Sequence, residues 1–172
     1  MRVKNQRSGS FTDKNLLTSS NVYEYRLMIP DLCKKEYQSL PHNSILLMAE
    51  KDNAKGDVEQ VNLSFNSYKN WPNGVLRYEI WQKVDDGEYF LVSNMQTLKH
   101  TIDYNNVGFN YYFRTKAIEN VGKQVSWSNT AYVEFVPKVK LYNMITPNND
   151  KTNDVFVIDG IENYPQQPLH RI

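Results

Sequence analysis

The chain has 172 residues, and its 20 lysines and arginines nearly balance its 19 aspartates and glutamates, which leaves a formal charge of +1. A near-neutral chain without a basic stripe gives no reason to expect nucleic acid or an anionic membrane surface as a partner. The longest apolar run, residues 45–49, is far shorter than the roughly 20 residues of a spanning helix, so no membrane span is predicted. The 12 tyrosines and the β-branched residues favour β-sheets.

The first ten residues are basic and polar, and no apolar segment follows them. They do not form a secretory signal, so the sequence predicts either a cytoplasmic protein or an internal fragment of a longer one. Residues 22–29 alternate between apolar and polar side chains and then meet Pro30, which predicts a strand, and residues 43–49 predict a second strand after Pro41. Two strands do not form an independent domain, which favours the fragment.

These two strands match a later part of the chain, which indicates an internal repeat. Residues 23–27 match residues 111–115 at an offset of 111 − 23 = 88, Asp13 matches Asp103 at 103 − 13 = 90, and Asn43 matches Asn129 at 129 − 43 = 86. Residues 1–55 are therefore predicted to be the C-terminal half of a preceding repeat. Such a half leaves an apolar face that needs a cover, and the residues expected on that face are Tyr25, Leu27, Ile45 and Leu47.

A complete copy of the repeat is predicted over residues 56–137, organised around two strands at residues 75–83 and 110–117. In the second strand Tyr111, Phe113, Thr115 and Ala117 share the expected core face. In the first, the core face is expected to carry Leu76, Tyr78 and Ile80, and the solvent face Arg77, Glu79 and Lys83. Further strands are predicted at residues 61–65, 89–92, 98–102 and 129–135, with turns at residues 71–74 and 85–87. Many short strands without an amphipathic helix indicate an antiparallel sandwich.

Several of these segments together resemble a fibronectin type III domain. They are residues 61–65, 78–81, Asp103, 111–117 and 126–129. The resemblance implies an all-β fold, an antiparallel immunoglobulin-like (fibronectin type III) β-sandwich with partial flanking β segments. It also implies that Tyr111 is the structural corner tyrosine, whose hydroxyl bonds to upstream backbone. Phe65 stands where such domains usually carry Trp, and Thr115 where they usually carry Val.

The last segment, residues 138–172, is similar to the start of the gliding-motility-associated C-terminal domain, the type B sorting domain of type IX secretion in Bacteroidetes. The stretch from Ile145 to Pro165 carries the resemblance. The domain is expected to be truncated, because such domains continue through more strands. The residues matched to the sorting motif are Thr146, Pro147, Asn148, Asn149, Asp150, Asn153, Asp154 and Phe156.

The spacing of oxygen-bearing side chains in this segment suggests one alternative to a purely conformational loop. Asn148, Asp150 and Asp154 place several hard oxygen ligands close together, as calcium prefers. The loop lacks the glycine and terminal glutamate of the calcium-loop template, so side chains that cap their own backbone are the favoured interpretation. No cofactor is predicted. His42, His100 and His170 are scattered, no nucleophile and base can be paired, and an enzyme is not expected.

A second candidate site is aromatic. In the strand order that the resemblance implies, Trp81, Tyr112 and Tyr132 point away from the core on one sheet. Exposed rings can stack on a sugar or anchor a protein, so an extracellular polysaccharide or protein ligand is predicted. The alternative is that the rings cover one another and the stems of neighbouring basic residues. Trp81 and Tyr112 would then be mostly buried.

These features together predict a non-catalytic fragment of an extracellular or cell-surface protein, with spacer or adhesion modules and a sorting signal read by the type IX secretion machinery. One alternative is a carbohydrate-binding or spacer tail of a secreted hydrolase, and another is an intracellular β-sandwich interaction protein. Cys33 is the one cysteine, and a free buried thiol is its simplest interpretation. Secretion adds the alternative of a disulfide to a cysteine elsewhere in a longer chain.

Overall fold

A computed structural model describes residues 10–52, 59–121, 123–142 and 157–164. Across these ranges the chain consists of β-strands and loops, with a single turn of 3-10 helix at Ile161–Asn163. No helix in these ranges is long and apolar enough to cross a membrane. The strands are β1 Glu24–Tyr25, β2 Met28–Pro30, β3 Glu36–Gln38, β4 His42–Asn43, β5 Leu47–Asp52, β6 Gln60–Phe65, β7 Val75–Val84, β8 Phe90–Met95, β9 Lys99–Asp103, β10 Asn110–Glu119, β11 Val125–Trp127, β12 Ala131–Glu134, β13 Lys140–Leu141 and β14 Ile158–Asp159.

Strands β5 to β12 form two antiparallel sheets that share one core, and we call them the two-sheet unit. One sheet has the order β5-β6-β9; the other has the order β11-β10-β7-β8, with β12 also paired to β10. The inner faces meet where the rings of Phe65 and Tyr78 lie 5.0 Å apart, edge to face. The core contains Val61, Leu63, Ile80, Phe113, Val133 and Phe135. The prediction of an all-β fold with antiparallel sheets is confirmed.

The central pair of the larger sheet is β7 with β10, the two strands around which the repeat was predicted to be organised. Phe113, Thr115 and Ala117 are fully buried, because every second side chain of β10 faces the other sheet. Leu76 is different, since it is 40% exposed although the alternation predicted a core position. The register between β7 and β10 shifts between Ile118 and Glu119, opposite the start of β7, and this irregularity ends the alternation there.

The smaller sheet contains a strand that the sequence analysis assigned to the preceding half-repeat. β5 pairs with β6 along its whole length, from Leu47 opposite Phe65 to Asp52 opposite Gln60. Ile45 and Leu47 are buried in the core of the two-sheet unit, so they are not part of an uncovered face. The side chain of Asn129 holds this strand, because it accepts a hydrogen bond from the Leu47 N–H (2.7 Å) and donates one to the Leu47 carbonyl (3.0 Å). The predicted boundary between residues 55 and 56 lies outside the described residues.

The N-terminal strands form two small hairpins, and we call residues 23–44 the N-terminal hairpin pair. β1 pairs with β4 and β2 pairs with β3, so the strand predicted over residues 22–29 is interrupted at Arg26 and Leu27. Tyr25 is 41% exposed and Leu27 62%, as expected for an apolar face without its cover. Cys33 lies in the turn between β2 and β3, and it is exposed rather than buried.

Candidate functional site

The first candidate site is the start of the C-terminal segment, which continues directly from the two-sheet unit. β13 and β14 pair antiparallel, with Lys140 opposite Asp159 and Leu141 opposite Ile158. The hydroxyl of Tyr142 donates a hydrogen bond of 2.5 Å to the Asp159 carboxylate. The short 3-10 helix at Ile161–Asn163 follows β14 at once, so residues 157–164 form a compact turn beside residues 138–142.

This turn docks onto the loop between β9 and β10 through two asparagines, and we call the contact region the junction. Asn106 donates to the Lys138 carbonyl (3.1 Å) and accepts from the Lys138 N–H (2.6 Å). Asn163 donates to the Asn106 carbonyl (3.1 Å) and accepts from the Gly108 N–H (3.2 Å). These amides satisfy backbone groups that would otherwise lie unpaired at a partly buried contact. The junction also contains Gly160, whose φ is 85°.

Aromatic residues complete the junction. The hydroxyl of Tyr164 donates a 2.5 Å hydrogen bond to the Pro137 carbonyl, and its ring stands perpendicular to the ring of Phe109 at 5.2 Å. Gly160 faces the Lys138 carbonyl so closely that a Cβ atom there would lie 2.5 Å from that oxygen. Only glycine fits this approach, both because of the space and because of its left-handed backbone.

The loop that receives the turn is itself held by buried tyrosines. Tyr104 stacks on Phe135 with ring centroids 4.1 Å apart, and burial raises its pKa to about 12. The Tyr111 hydroxyl donates to the upstream backbone carbonyl of Val107 and lies 2.9 Å from Oδ1 of the Asn105 side chain. The assignment of Tyr111 as a fibronectin-type corner tyrosine stays a prediction. The pKa of Tyr111 is raised well above its ordinary value, and burial is the largest cause of that shift. The docking surface is therefore fixed by the core of the two-sheet unit.

Asp85 ties the same loop to the β7–β8 turn. Its carboxylate accepts hydrogen bonds from the N–H groups of Phe109 (3.2 Å) and Asn110 (2.9 Å) and from the Asn110 side chain (3.0 Å). Burial acts to raise the pKa of Asp85, but these hydrogen bonds favour the carboxylate and lower the pKa overall. The predicted turn at residues 85–87 is present, with the positive φ at Asp85.

A cleft of about 310 Å³ lies between the two-sheet unit and the C-terminal segment. Its lining balances two carboxylates against two lysines, and the residues are Glu59, Tyr104, Asn106, Lys138, Lys140 and Asp159. Glu59 Oε2 is buried and has no hydrogen-bond partner in the described part of the chain. Within the described ranges, no three His, Cys, Asp or Glu residues are grouped so that they could hold a metal ion.

The second candidate site is the outer face of the larger sheet, where the register brings the predicted aromatic residues together. Tyr112 of β10 lies opposite Tyr132 of β12, with ring centroids 5.2 Å apart. Trp81 of β7 lies opposite Arg114 in the next outward row. Tyr132 is 49% exposed, whereas Trp81 and Tyr112 are only partly exposed. Neighbouring side chains thus cover the middle of the face more than its edge.

Sequence reasoning did not place Trp127 on this face. Trp127 pairs with Lys116 across β10 and β11, which puts its ring 5.9 Å from that of Trp81 in an edge-to-face contact. Lys116 lies over both rings, 5.4 Å from the centroid of Trp127 and 5.9 Å from that of Trp81. Trp127 is 46% exposed. We call Trp81, Tyr112, Trp127 and Tyr132 the outer aromatic face.

The carboxylate of Glu79 lies next to this face and binds the basic and indole side chains around it. It points outward as predicted, yet it is only 6% exposed, because Arg77, Trp81 and Lys116 surround it. Arg77 Nη2 lies 2.9 Å and Trp81 Nε1 3.2 Å from its carboxylate oxygens. Burial acts to raise the pKa of Glu79, but these two hydrogen bonds and the charge of Lys116 outweigh it and lower the pKa. The expectation of a solvated Glu79 was therefore wrong.

The residues matched to the sorting motif lie outside the described residues, as do the three proposed calcium ligands. They are Thr146, Pro147, Asn148, Asn149, Asp150, Asn153, Asp154 and Phe156. The structure does describe residues on both sides of them, which form β13, β14 and the junction.

Comparison with protein families bears on this segment. Residues 139–170 match the CHU_C Type IX secretion signal domain. The match includes β13, β14 and the C-terminal half of the junction, within the predicted segment 138–172. It suggests a secreted or cell-surface protein and implies the type IX secretion machinery as a partner. No curated protein and no solved structure matches the chain significantly, so the resemblance to fibronectin type III domains stays a prediction.

Proposed function

We propose that this chain is a non-catalytic part of a secreted or cell-surface protein, in which fibronectin type III-like modules act as spacers or adhesive units and the C-terminal segment directs export. The observation that carries the proposal is the match of residues 139–170 to the type IX secretion signal domain. The two-sheet unit supports it as well, since its one core and its short loops suit a rigid spacer.

The junction fixes the position of the C-terminal segment, which would contain the signal, relative to the two-sheet unit, which would be the spacer. Asn106 and Asn163 join the β9–β10 loop to the turn after β14, and Tyr164 adds a contact to Pro137. A signal that is docked on the preceding module is presented at a fixed position. The secretion machinery would then meet a folded module and its signal as one body.

Export tests this proposal directly. The full chain, placed behind a periplasm-directing signal peptide in a bacterium with type IX secretion, should reach the cell surface or medium. A variant without residues 139–172 should remain in the periplasm, and the double variant Asp154→Ala, Phe156→Ala should do the same. Tyr37→Ala, which changes an exposed residue of β3, is the matched control and should be exported normally. Equal delivery of the variant without residues 139–172 would refute the signal role.

A second candidate function is ligand binding on the outer aromatic face, as in an accessory module of a secreted hydrolase. Trp127 and Tyr132 favour it, because both remain about half exposed at the edge strands. Lys116 lies beside Trp127, and Arg114 and Lys83 follow on the same face, so the face combines rings with cations. This combination suits an acidic polysaccharide.

Titration of the full chain with alginate, followed by tryptophan fluorescence, tests that second function, with neutral dextran as the comparison polymer. Trp127→Ala should weaken alginate binding by about tenfold, as expected for the loss of one stacking ring. Tyr37→Ala, which removes an exposed ring on β3, should bind like the natural chain. Unchanged affinity in Trp127→Ala would remove the outer aromatic face as the site.

A further inference from the structure

The N-terminal hairpin pair repeats the pairing register of β10 with β11 and β12. Met28 lies opposite Gln38 in β2–β3, and Lys116 lies opposite Trp127 in β10–β11. The offsets are 116 − 28 = 88 for the first strand and 127 − 38 = 89 for the second. The remaining pairs of β2–β3 and β10–β11 keep the same two offsets.

The second hairpin of the pair follows the same rule. Tyr25 lies opposite His42 in β1–β4, and Phe113 lies opposite Ala131 in β10–β12. The offsets are again 113 − 25 = 88 and 131 − 42 = 89. Constant offsets across two separate hairpins mean that the chain pairs identically in both places. The landmark match of Asn43 to Asn129 at offset 86 is thereby corrected, since Asn43 occupies the position of Tyr132.

A serine marks the interruption between the hairpins in both copies. The Leu27 N–H donates to Ser39 Oγ (2.9 Å), and the Ser39 N–H donates to the Leu27 carbonyl (2.9 Å). Thr115 and Ser128 make the same two bonds, at 2.9 and 2.8 Å. Their offsets are 115 − 27 = 88 and 128 − 39 = 89. The copy thus extends from strand register to side-chain hydrogen bonds.

The two copies differ in what covers them. Tyr25, Leu27 and Ile29 occupy the positions of Phe113, Thr115 and Ala117, which are 0% exposed beneath the sheet β5-β6-β9. In the N-terminal copy the same face is open, with Ile29 55% exposed. In addition, β1 and β2 each pair on one side only within the described residues, whereas β10 also pairs with β7.

We infer that the apolar face of the N-terminal hairpin pair is a docking surface for a β-sheet equivalent to β5-β6-β9, with a strand equivalent to β7 pairing along the free edges of β1 and β2. The occupant is a polypeptide segment patterned like residues 45–109, whose inner face presents side chains such as Val61, Leu63 and Phe65. The two-sheet unit of the same chain is the model for this docking, because there the equivalent face of β10 is covered by the sheet β5-β6-β9. The inference does not depend on export.

An extended chain tests the docking surface. In this chain a second copy of residues 45–109 replaces residues 1–21 and is joined directly to Val22. The joint keeps the spacing of the two-sheet unit, because residue 109 corresponds to residue 21 at the offset of 88 (109 − 88 = 21). Amide exchange is then compared with the natural chain. The amides of residues 24–43 should exchange on the order of 100-fold more slowly in the extended chain, approaching those of β10 to β12, because burial of the apolar face and pairing of the free edges raise the local opening free energy.

A second extended chain keeps the test decisive if the natural face packs poorly. It carries Tyr25→Phe, Leu27→Thr and Ile29→Ala, which reproduces the face of β10. As a matched control, Leu63→Asp in the repeated segment alone should abolish the added protection. If neither extended chain slows exchange at residues 24–43, the proposal is wrong. If the natural chain dimerises in sedimentation and is already protected there, a second copy is the occupant and the proposal is also wrong.

Discussion

Thr115 carries a buried hydroxyl that the core of the two-sheet unit accommodates poorly. Its side chain is fully buried in β10, and Oγ1 has no hydrogen-bond partner among the residues that the structure describes. A buried hydroxyl without a partner costs about 1–3 kcal/mol relative to an apolar group of the same shape. We therefore expect Thr115→Val to raise the free energy of unfolding by about 1 kcal/mol, measured by urea denaturation.

Thr101→Val is the matched control for this substitution. Thr101 is exposed on β9, and its hydroxyl donates to Asn62 Oδ1 at 2.7 Å. Removing a satisfied, exposed hydroxyl should leave stability unchanged or slightly lower. A loss of stability in Thr115→Val would mean that the hydroxyl has a partner, such as a water molecule, and that the premise is wrong.

His100 gives the fold a dependence on mildly acidic pH. It lies opposite Leu63 in the β6–β9 pair, partly buried on the inner side, and burial lowers its pKa from the ordinary 6.5. Because the folded pKa is below the unfolded one, its stabilising contribution is complete above pH 6.5 and is lost as the pH falls towards the folded value. We expect the unfolding free energy to fall between pH 7.5 and 5, and His100→Gln to flatten that slope. An equal slope in the variant would assign the dependence to other groups.

At the scale of strands, the alternation of side chains predicted which residues face inward but not which strands are partners. β7 and β10 were predicted correctly, because each is long and its faces are distinct. β5 also begins in a segment that was predicted to be a strand, yet its partner is β6 and not one of the N-terminal strands. Pairing depends on contacts across the chain, which periodicity does not contain. The repeat offset, in contrast, was detectable in sequence and reappears as register.

The outer aromatic face shows the same limit. Trp127 lies in a segment that the sequence analysis had noted, but its facing follows only from the pairing with Lys116. The two-residue alternation along β10 from Tyr112 predicts that Lys116 faces outward, and only a known register would have added Trp127. The burial of Glu79 could not be predicted, because it results from side chains of two strands closing over one carboxylate.

Glu79 therefore carries a prediction for the larger sheet. Glu79→Gln removes the charge that Arg77, Trp81 and Lys116 surround, and should lower the unfolding free energy at pH 7 by about 1.5 kcal/mol. Since the folded pKa is below 4.5, the contribution of the carboxylate is present above pH 4.5 and is lost as the pH falls. The difference between the two proteins in urea denaturation should thus shrink towards pH 3. Glu50→Gln, on an exposed position of β5, should have no effect at either pH.

At the scale of the whole molecule, the position of the C-terminal segment was not predictable. The sequence indicated a signal there, but Asn106 and Asn163 are 57 residues apart and belong to no periodic pattern. Their contact depends on a loop fixed by Tyr104 and Tyr111 and on a turn that only Gly160 permits. The junction is thus a product of tertiary structure, whereas the identity of the segment could be inferred from local sequence.

Gly160→Ala should detach the C-terminal segment from the two-sheet unit without unfolding the latter. The new Cβ would lie 2.5 Å from the Lys138 carbonyl, and the residue would keep a φ of 85° that alanine rarely adopts. Gly74→Ala is the matched control, because Gly74 has a φ of 70° but no atom of the described residues within 4 Å of its Cβ position. A backbone strain of about 1 kcal/mol is thus common to both variants, and only Gly160→Ala adds the collision.

Limited trypsin digestion should cleave after Lys138 and Lys140 about tenfold faster in Gly160→Ala, and at the natural rate in Gly74→Ala. Equal cleavage in both variants would show that the junction does not hold the segment.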